Sequence, residues 1–285
     1  MNIGHAPLHN PHTAAFINTL FAKLTYDQLE AVTASAFEQA WRNWLQSSNH
    51  NTVVGLDAFE HCVFVPGTTD AFGEFIARNH TRRVRVSRSD FILSRILSKT
   101  WNIDYLELEQ APLATNDCYL TSLPFSGNGQ VHPDFINNLR TADDLGVPVF
   151  LDAAYFGIAH GITYPLQFQC ITDFATSLSK GLAGKPLRLG VRFTRQAYDD
   201  GASAAMVGMD TFDRLGALIS IELLNNFSHD WFIETYRDRS HKICQEFGLK
   251  PTNVVTLAMG DQRYKEFQRG DYIRVCISDE LSQTS

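Results

Sequence analysis

A lysine flanked by hydroxyl groups is the first part of this sequence that could do chemistry. Lys180 lies in the segment SLSKGLAG, and Arg188 follows it eight residues later. A lysine at a protein surface is ordinarily a solvated charge. When a loop presents it into a crevice, partial desolvation and a nearby cation lower its pKa, and the neutral amine is a nucleophile that forms Schiff bases. Lys180 is therefore a candidate for covalent catalysis.

An aspartate and a tyrosine follow an apolar run earlier in the chain. Asp152 comes directly after VPVFL, which predicts a buried parallel strand, and Tyr155 comes three residues later. Ligands of open α/β sheets bind at the carboxyl ends of such strands. A carboxylate there can keep the ring nitrogen of pyridoxal phosphate protonated, a phenol can donate to the phenolic oxygen of the ring, and Lys180 can form the Schiff base. These three residues are the predicted catalytic groups.

The phosphate of this cofactor sets a further requirement. It needs N–H groups at a helix start, hydroxyl groups, and a cation that binds two oxygens at once. The sequence offers them at a predicted helix start and around the lysine. The candidate phosphate ligands are Gly67, Thr68, Thr69, Ser177, Ser179 and Arg188.

The elements that must position these residues alternate along the chain. Strands are predicted at 61–65, 82–87, 103–108, 118–123, 147–151, 171–178, 187–194 and 272–278, and helices at 25–46, 68–79, 90–99 and 133–146, with two more after about residue 205. Strands separated by helices imply an α/β fold with a mostly parallel sheet flanked by helices. The predicted organisation is an N-terminal arm and helix (1–45), a large α/β domain with the site (46–210), and helices with a reduced C-terminal domain (211–285).

Composition argues against several other classes of protein. The 285 residues, 44% hydrophobic and 19% charged, are ordinary for a soluble globular protein, and the net charge of −7 disfavours nucleic-acid binding. The basic segment 78–88 alternates with valine, which predicts a solvated strand with an exposed basic face. Widely spaced cysteines, and His5, His9 and His12 in a proline-containing arm, predict neither disulfides nor a metal site. Without a recognisable signal peptide or membrane span, we expect a cytoplasmic protein.

Together, in order and spacing, these motifs resemble the fold-type I pyridoxal-phosphate enzymes, in particular the class I and II aminotransferases, over roughly residues 40–278. The resemblance implies that GTTDA (67–71) cradles the phosphate, that Phe91 stacks on the pyridine ring, and that Arg274 clamps the substrate α-carboxylate. SLPFSGNG looks like the family's Asn-Pro-x-Asn-Pro-Thr-Gly turn, with Ser126 in place of the Asn that contacts the ring oxygen. The stretch from about 250 to Arg274 is much shorter than in the family, so most of the small domain would be missing.

The resemblance also implies a reaction and a partner. An arginine on the α-carboxylate would leave the Cα–H bond to be broken, with Lys180 as the base, which favours an aminotransferase of amino-acid metabolism. A biosynthetic lyase or cyclase that eliminates or replaces a β or γ substituent would use the same residues. A non-catalytic pyridoxal-phosphate-binding protein is the alternative from another class. Family members are homodimers that share active sites, which makes Tyr26 a candidate phosphate contact across the interface.

Overall fold

A computed structural model of the protein describes residues 8, 10–184 and 186–282. Its helices are α1 (Pro11–Lys23), α2 (Tyr26–Glu30), α3 (Ala34–Gln46), α4 (Thr68–Arg78), α5 (Leu93–Thr100), α6 (Phe135–Leu145), α7 (Gly201–Ser203, continued by a π-helix over Ala204–Gly208), α8 (Arg214–Asn226), α9 (Trp231–Phe247) and α10 (Ser278–Ser282). Its strands are β1 (Thr52–Val54), β2 (His61–Val65), β3 (Arg83–Val86), β4 (Tyr105–Glu107), β5 (Asp117–Ser122), β6 (Val149–Ala153), β7 (Thr163–Pro165), β8 (Ile171–Ser177), β9 (Gly190–Thr194), β10 (Lys250–Pro251), β11 (Leu257–Met259), β12 (Gln268–Arg269) and β13 (Tyr272–Cys276).

The main sheet has seven strands in the described part of the chain. Their order is β2-β9-β8-β6-β5-β3-β4, and β9 is antiparallel to both of its neighbours while the others run parallel. Helix α4 packs against β6, β8 and β9, and α5 packs against β3 and β4. Strands covered in this way are buried along their whole length, as β6 (VFLDA) is. The predicted α/β fold with a mostly parallel sheet is confirmed.

A smaller antiparallel sheet lies in the C-terminal part. Its strand order is β10-β11-β13-β12, and it follows α9, which ends at Gly248 in the left-handed conformation (φ 64°). The short strands β10, β11 and β12 carry too few residues to show a pattern in the sequence. The domain boundaries drawn from the sequence remain a prediction.

The N-terminal part differs from its prediction in two ways. Residues 11–23 form α1, capped by the Asn10 side chain, which accepts hydrogen bonds from the N–H groups of His12 and Thr13. His12 is therefore in a helix rather than an arm, while His5 and His9 lie outside the described residues. The helix predicted at 25–46 is two helices, because the Thr33 side chain accepts a hydrogen bond from Ala36 N and starts α3.

The prediction of an exposed basic face on β3 is wrong. The Arg85 side chain is 0% exposed, and its Nη1 donates to Asp117 Oδ2 at 2.6 Å. Arg83 Nε donates to the other carboxylate oxygen at 2.8 Å. The alternation looked solvated, but the Arg85 guanidinium also donates to the carbonyls of Leu106 and Pro112, so β4 and the segment after it cover this side chain. Within the described residues, none of the helices is both long and apolar enough to cross a membrane.

Candidate active site

A cavity of about 430 Å³ opens where β6 and β8 end and α4 begins. The residues predicted from the sequence that line it are Thr68, Thr69, Phe91, Ser126, Asp152, Tyr155, Ser177, Ser179, Lys180, Arg188 and Arg274. They come from segments far apart in the chain. The remaining predicted residue, Gly67, is the N-cap of α4 and lies against the Arg188 side chain.

Lys180 ends a short turn that follows β8. The Ser177 Oγ accepts a hydrogen bond from Ser179 N at 3.0 Å, and the Ser179 hydroxyl donates to the carbonyl of Leu187 at 3.0 Å. These bonds hold the turn against the segment that leads into β9. The Lys180 amine lies 5.7 Å from the centre of the Tyr155 ring. The two serines therefore fix the backbone from which the lysine reaches into the cavity.

Asp152 is the fourth residue of β6, between β5 and β8. Its side chain accepts a hydrogen bond from Ala154 N at 2.9 Å, and the residue is 6% exposed. Burial, with a smaller effect from the nearby carboxylate of Asp90, raises the pKa of Asp152 to about 7, although hydrogen bonds from Ala154 N and Thr68 and the charge of Lys180 act to lower it. A cation beside this buried carboxyl group would stabilise its charged form.

The start of α4 is suited to an anion. Its N-cap is Gly67, which has φ 91° and provides no side chain to cap the first N–H groups of the helix. The positive φ of Gly67 favours glycine there, and a Cβ at this position would lie 2.5 Å from Arg188 Nη2 and displace the guanidinium from the helix end. Arg188 Nη2 also donates to the Thr69 hydroxyl at 3.2 Å. Helix N–H groups, hydroxyls and a guanidinium are the donor set that binds phosphate.

Arg274 links the C-terminal sheet to the main one. It lies on β13 and is buried; its Nη1 donates to the Ser126 carbonyl and, at 3.4 Å, to the Tyr155 hydroxyl. Its Nε is buried without a hydrogen-bond partner among the described residues. Buried N–H groups are almost always paired in folded proteins. The guanidinium therefore has a donor left for a ligand in the cavity.

Neither a protein-family model nor a curated protein matches this sequence. Solved structures match its fold. Cystalysin from Treponema denticola, which contains a pyridoxal 5'-phosphate cofactor, is 11% identical with a TM-score of 0.71, covering 99% of this chain and 88% of its own. The pyridoxal-phosphate-bound C-S lyase from Staphylococcus hominis is 12% identical with a TM-score of 0.70, covering 98% and 88%. The histidinol-phosphate aminotransferase from Clostridium acetobutylicum is 14% identical with a TM-score of 0.64, covering 99% and 96%.

The chain has the fold of the fold-type I pyridoxal-phosphate enzymes. The resemblance of its motifs predicted this fold, and the structural matches confirm it. Within this fold, Phe91 lies in the loop before α5, is 38% exposed and stacks on Phe72 with ring centres 6.2 Å apart. Phe91 is also one of the residues that line the cavity.

Asp90 supports the site, and the sequence analysis did not identify it. Its carboxylate accepts hydrogen bonds from Phe91 N at 2.7 Å, Ser122 Oγ at 2.5 Å and Ser122 N at 3.0 Å. Ser122 Oγ in turn accepts from Ser126 N at 2.7 Å. Asp90 thus fastens the loop that carries Phe91 to the turn that carries Ser126. Its position directly before the aromatic residue was the available signal.

The C-terminal part of the chain, from residue 256 on, supplies five of the eight other lining residues that were missed. They are Ile92, Ala154, Ile158, Thr256, Leu257, Arg269, Cys276 and Ser278. Among the described residues that line the cavity, Lys180, Arg188, Arg269 and Arg274 are cationic and Asp152 is the one carboxylate. This surplus of positive charge favours a ligand with several negative charges.

Proposed function

We propose that the protein binds pyridoxal 5'-phosphate and is an aminotransferase that acts on an amino acid and a keto acid. The observation that carries this proposal is that Lys180, Asp152, Tyr155 and Arg188 line one cavity although they come from separate segments. When bound, pyridoxal phosphate supplies an aldehyde that condenses with amines and a ring that withdraws electrons from the substrate Cα.

The residues of the cavity fit each part of the cofactor. The start of α4, with Thr68, Thr69 and the Arg188 guanidinium, would hold the phosphate. Ser177 would add a hydroxyl, since its Oγ accepts one hydrogen bond and its proton remains available to donate. The Asp152 carboxyl has a pKa raised to about 7 by burial, and a protonated ring nitrogen would give it the cation that it favours.

Three further residues would contact the ring itself. The Tyr155 hydroxyl would donate to the ring oxygen, and Ser126 would lie on the same side with a shorter reach than asparagine. Phe91 would cover one face of the ring.

Lys180 and Arg274 have the roles closest to the reaction. The buried Arg274 guanidinium would bind the α-carboxylate with the Nε donor that no described residue uses. A carboxylate held there orients the Cα–H bond. Lys180 would carry the proton from Cα, because its amine is the base that lies in this cavity. Transfer of the amino group to a keto acid completes the cycle.

A second candidate is elimination of a β substituent from the amino acid. The C-S lyase from Staphylococcus hominis is among the structures with TM-scores of 0.70 or more, and this favours the alternative. Both reactions begin with removal of the Cα proton, so Lys180, Asp152 and Arg274 would have the same roles. The two differ in whether a leaving group departs from Cβ.

One experiment separates these reactions. Purified protein is mixed with pyridoxal phosphate, its absorbance spectrum is recorded, and amino acids are then added singly. A yellow band that shifts to shorter wavelength, with release of a keto acid and restoration by a second keto acid, supports transamination. Release of ammonia and a thiol from a sulfur-containing amino acid, with the yellow band retained, supports elimination. A cofactor band that none of the amino acids alters supports a non-catalytic role. A spectrum that shows no bound cofactor refutes the proposal.

We also propose that the protein is a homodimer with shared active sites. Val207 and Met209, at 67% and 64% exposure, are apolar side chains that a second copy would cover. Tyr26, which begins α2, is 72% exposed and is the candidate contact to the partner's cofactor. Sedimentation measurements should give twice the mass of one chain, and Met209→Asp should shift the protein toward the monomer.

A further inference from the structure

We propose that His50, Asp230 and Glu234 bind a divalent transition-metal ion, with Zn²⁺ as the expected occupant. Each of these side chains offers one nitrogen or oxygen atom, and the three atoms lie within 4.8 Å of one another. Among the described residues, none of the three lines the cavity of the candidate active site. The inference is therefore independent of the proposed function and concerns a different part of the molecule.

Two of the ligands come from the start of α9. Asp230 is the N-cap of this helix, and Glu234 follows four residues later, so both carboxylates lie on one side of the first turn. Acidic residues are common at helix starts because their side chains can cap the free N–H groups. The Asp230 side chain makes no such capping bond. It contacts instead the segment that precedes β1.

The Asp230 carboxylate is buried and held in a fixed position. Its Oδ1 accepts a hydrogen bond from Ser48 Oγ at 2.6 Å and lies 3.1 Å from His229 Nδ1, and its Oδ2 accepts from Asn49 N at 2.6 Å. Burial raises the pKa of Asp230, but these hydrogen bonds together outweigh it and hold the pKa below its ordinary value. A carboxylate oxygen has two lone pairs, so Oδ2 has one left for a cation.

His50 lies in a turn that the same serine holds. Its N–H donates to Ser48 Oγ at 3.1 Å, and Asn51 N donates to that oxygen at 2.9 Å. The carbonyl of His50 accepts from Gly161 N at 2.8 Å. Ser48 thus positions both the backbone of His50 and the carboxylate of Asp230. Hydrogen bonds of this kind around the ligands are typical of metal sites, because they orient the donor atoms.

The His50 imidazole and the Glu234 carboxylate are open to a ligand. In the part of the chain that the structure describes, neither makes a hydrogen bond or an ion pair. His50 is half-buried and Glu234 is exposed, so an ion between them would have one side open to water. Bonds of about 2.0–2.2 Å place the ligands of a tetrahedral zinc ion about 3.3–3.6 Å apart. Rotation of the exposed Glu234 side chain would close the remaining gap.

The donor set indicates the kind of ion. Two carboxylates neutralise a divalent cation, and the cation offsets the repulsion between like charges four residues apart on a helix. Imidazole is a ligand of Zn²⁺ and of neighbouring transition metals, whereas Mg²⁺ and Ca²⁺ are bound through oxygen. Three protein ligands leave the fourth position of a tetrahedral ion for water. The ion would join the turn before β1 to the start of α9.

The test measures metal binding by the full-length protein. The protein is dialysed against EDTA and then into metal-free buffer without phosphate, and Zn²⁺, Mg²⁺ and Ca²⁺ are titrated into it in a calorimeter. We expect one Zn²⁺ per chain, bound at least about a hundredfold more tightly than Mg²⁺ or Ca²⁺. Zinc should also raise the unfolding temperature, since it binds the folded state. Protein loaded with pyridoxal phosphate should give the same zinc affinity.

Variants connect the binding to these residues. His50→Ala and Glu234→Gln should each weaken zinc binding by at least about a hundredfold, and Ser48→Ala by about tenfold, because it orients the ligands. His80→Ala and Glu246→Gln are the matched controls, since both residues are exposed and Glu246 lies in the last turn of α9. Both controls should keep the wild-type affinity. Without zinc, His50→Ala should unfold at the wild-type temperature, which shows that it is folded.

Three outcomes would overturn the inference. The first is a wild-type protein that binds zinc only at millimolar concentrations. The second is zinc binding that persists in His50→Ala and Glu234→Gln and is lost instead in His160→Ala or His241→Ala, whose side chains lie near His50. The third is tighter binding of Mg²⁺ or Ca²⁺ than of Zn²⁺, which would contradict the role of the imidazole. None of these outcomes bears on pyridoxal phosphate binding, so the proposed function is tested separately.

Discussion

The Arg274 guanidinium donates a hydrogen bond to the backbone carbonyl of Ser126, a residue 148 positions earlier in the chain. This contact joins the C-terminal sheet to the turn after β5, at the wall of the cavity. The same Nη1 lies 3.4 Å from the Tyr155 hydroxyl, so one arginine touches two segments that line the site. The small sheet is thereby held against the ends of the parallel strands.

Replacing Arg274 tests its role as the carboxylate ligand. Arg274→Ala should lower kcat/KM for α-amino acids by about tenfold to a hundredfold, since it removes a charged hydrogen-bonded contact. Primary amines without a carboxylate should lose much less. The rates of an amino acid and of the matching amine are compared in both proteins, and an equal loss for the two would place the carboxylate elsewhere.

Replacing Lys180 tests the covalent attachment of the cofactor. Lys180→Ala should abolish the yellow band that forms with pyridoxal phosphate, because Lys180 carries the one amine among the described residues that line the cavity. Borohydride reduction of the wild type, followed by peptide mapping, should find the cofactor on the peptide that contains Lys180. Lys99→Ala, an exposed lysine in the last turn of α5, serves as the control and should keep the band. Label on a different lysine would refute the assignment.

The raised pKa of Asp152 predicts a pH-dependent stability in the cofactor-free protein. Burial raises its pKa from 3.8 to about 7, so the folded state holds a proton that the unfolded state has released. As pH rises from about 4 to about 7, the free energy of unfolding therefore falls by about 1.4 kcal/mol for each pKa unit of the shift. Above pH 7 this effect is constant.

The comparison that isolates this effect uses Asp152→Asn. The variant carries no ionisable group there, so its free energy of unfolding relative to wild type should increase across that pH range and then level off. Denaturant unfolding of both proteins at pH 4, 5.5, 7 and 8 measures it. A difference that does not change with pH would mean that the carboxyl group has an ordinary pKa. In contrast, the variant should bind pyridoxal phosphate more weakly, because the partner of the ring nitrogen is gone.

The two arginines that share Asp117 predict different losses of stability. Arg85 is fully buried with the carboxylate, and its replacement by Gln would leave a buried charge, which costs about 3–5 kcal/mol. Arg83 is 30% exposed in its side chain, and Arg83→Gln should cost about 1 kcal/mol or less. Urea unfolding of the two variants gives both values. Equal losses would show that burial does not control the strength of these two ion pairs.

Local patterns in the sequence were sufficient to identify most of the residues that line the candidate site. Lys180, Asp152 and Gly67 each stand where a predicted strand ends or a helix begins, and the chemistry of the cofactor allows few residue types at each point. The strand and helix order follows from apolar periodicity, so the parallel sheet was also predictable. These features depend on neighbours within a few residues.

Features that depend on pairing between distant segments were not predictable. Arg85 alternates with valine as a solvated strand would, yet it is buried where its guanidinium donates to Asp117 and to the carbonyls of Leu106 and Pro112. Asp90 acquires its role from the hydrogen bond with Ser122, a residue of β5. The physical reason is that burial and charge proximity are set by which strands lie side by side. Residue types and their spacing indicate the chemistry, and the tertiary structure brings the charged groups together.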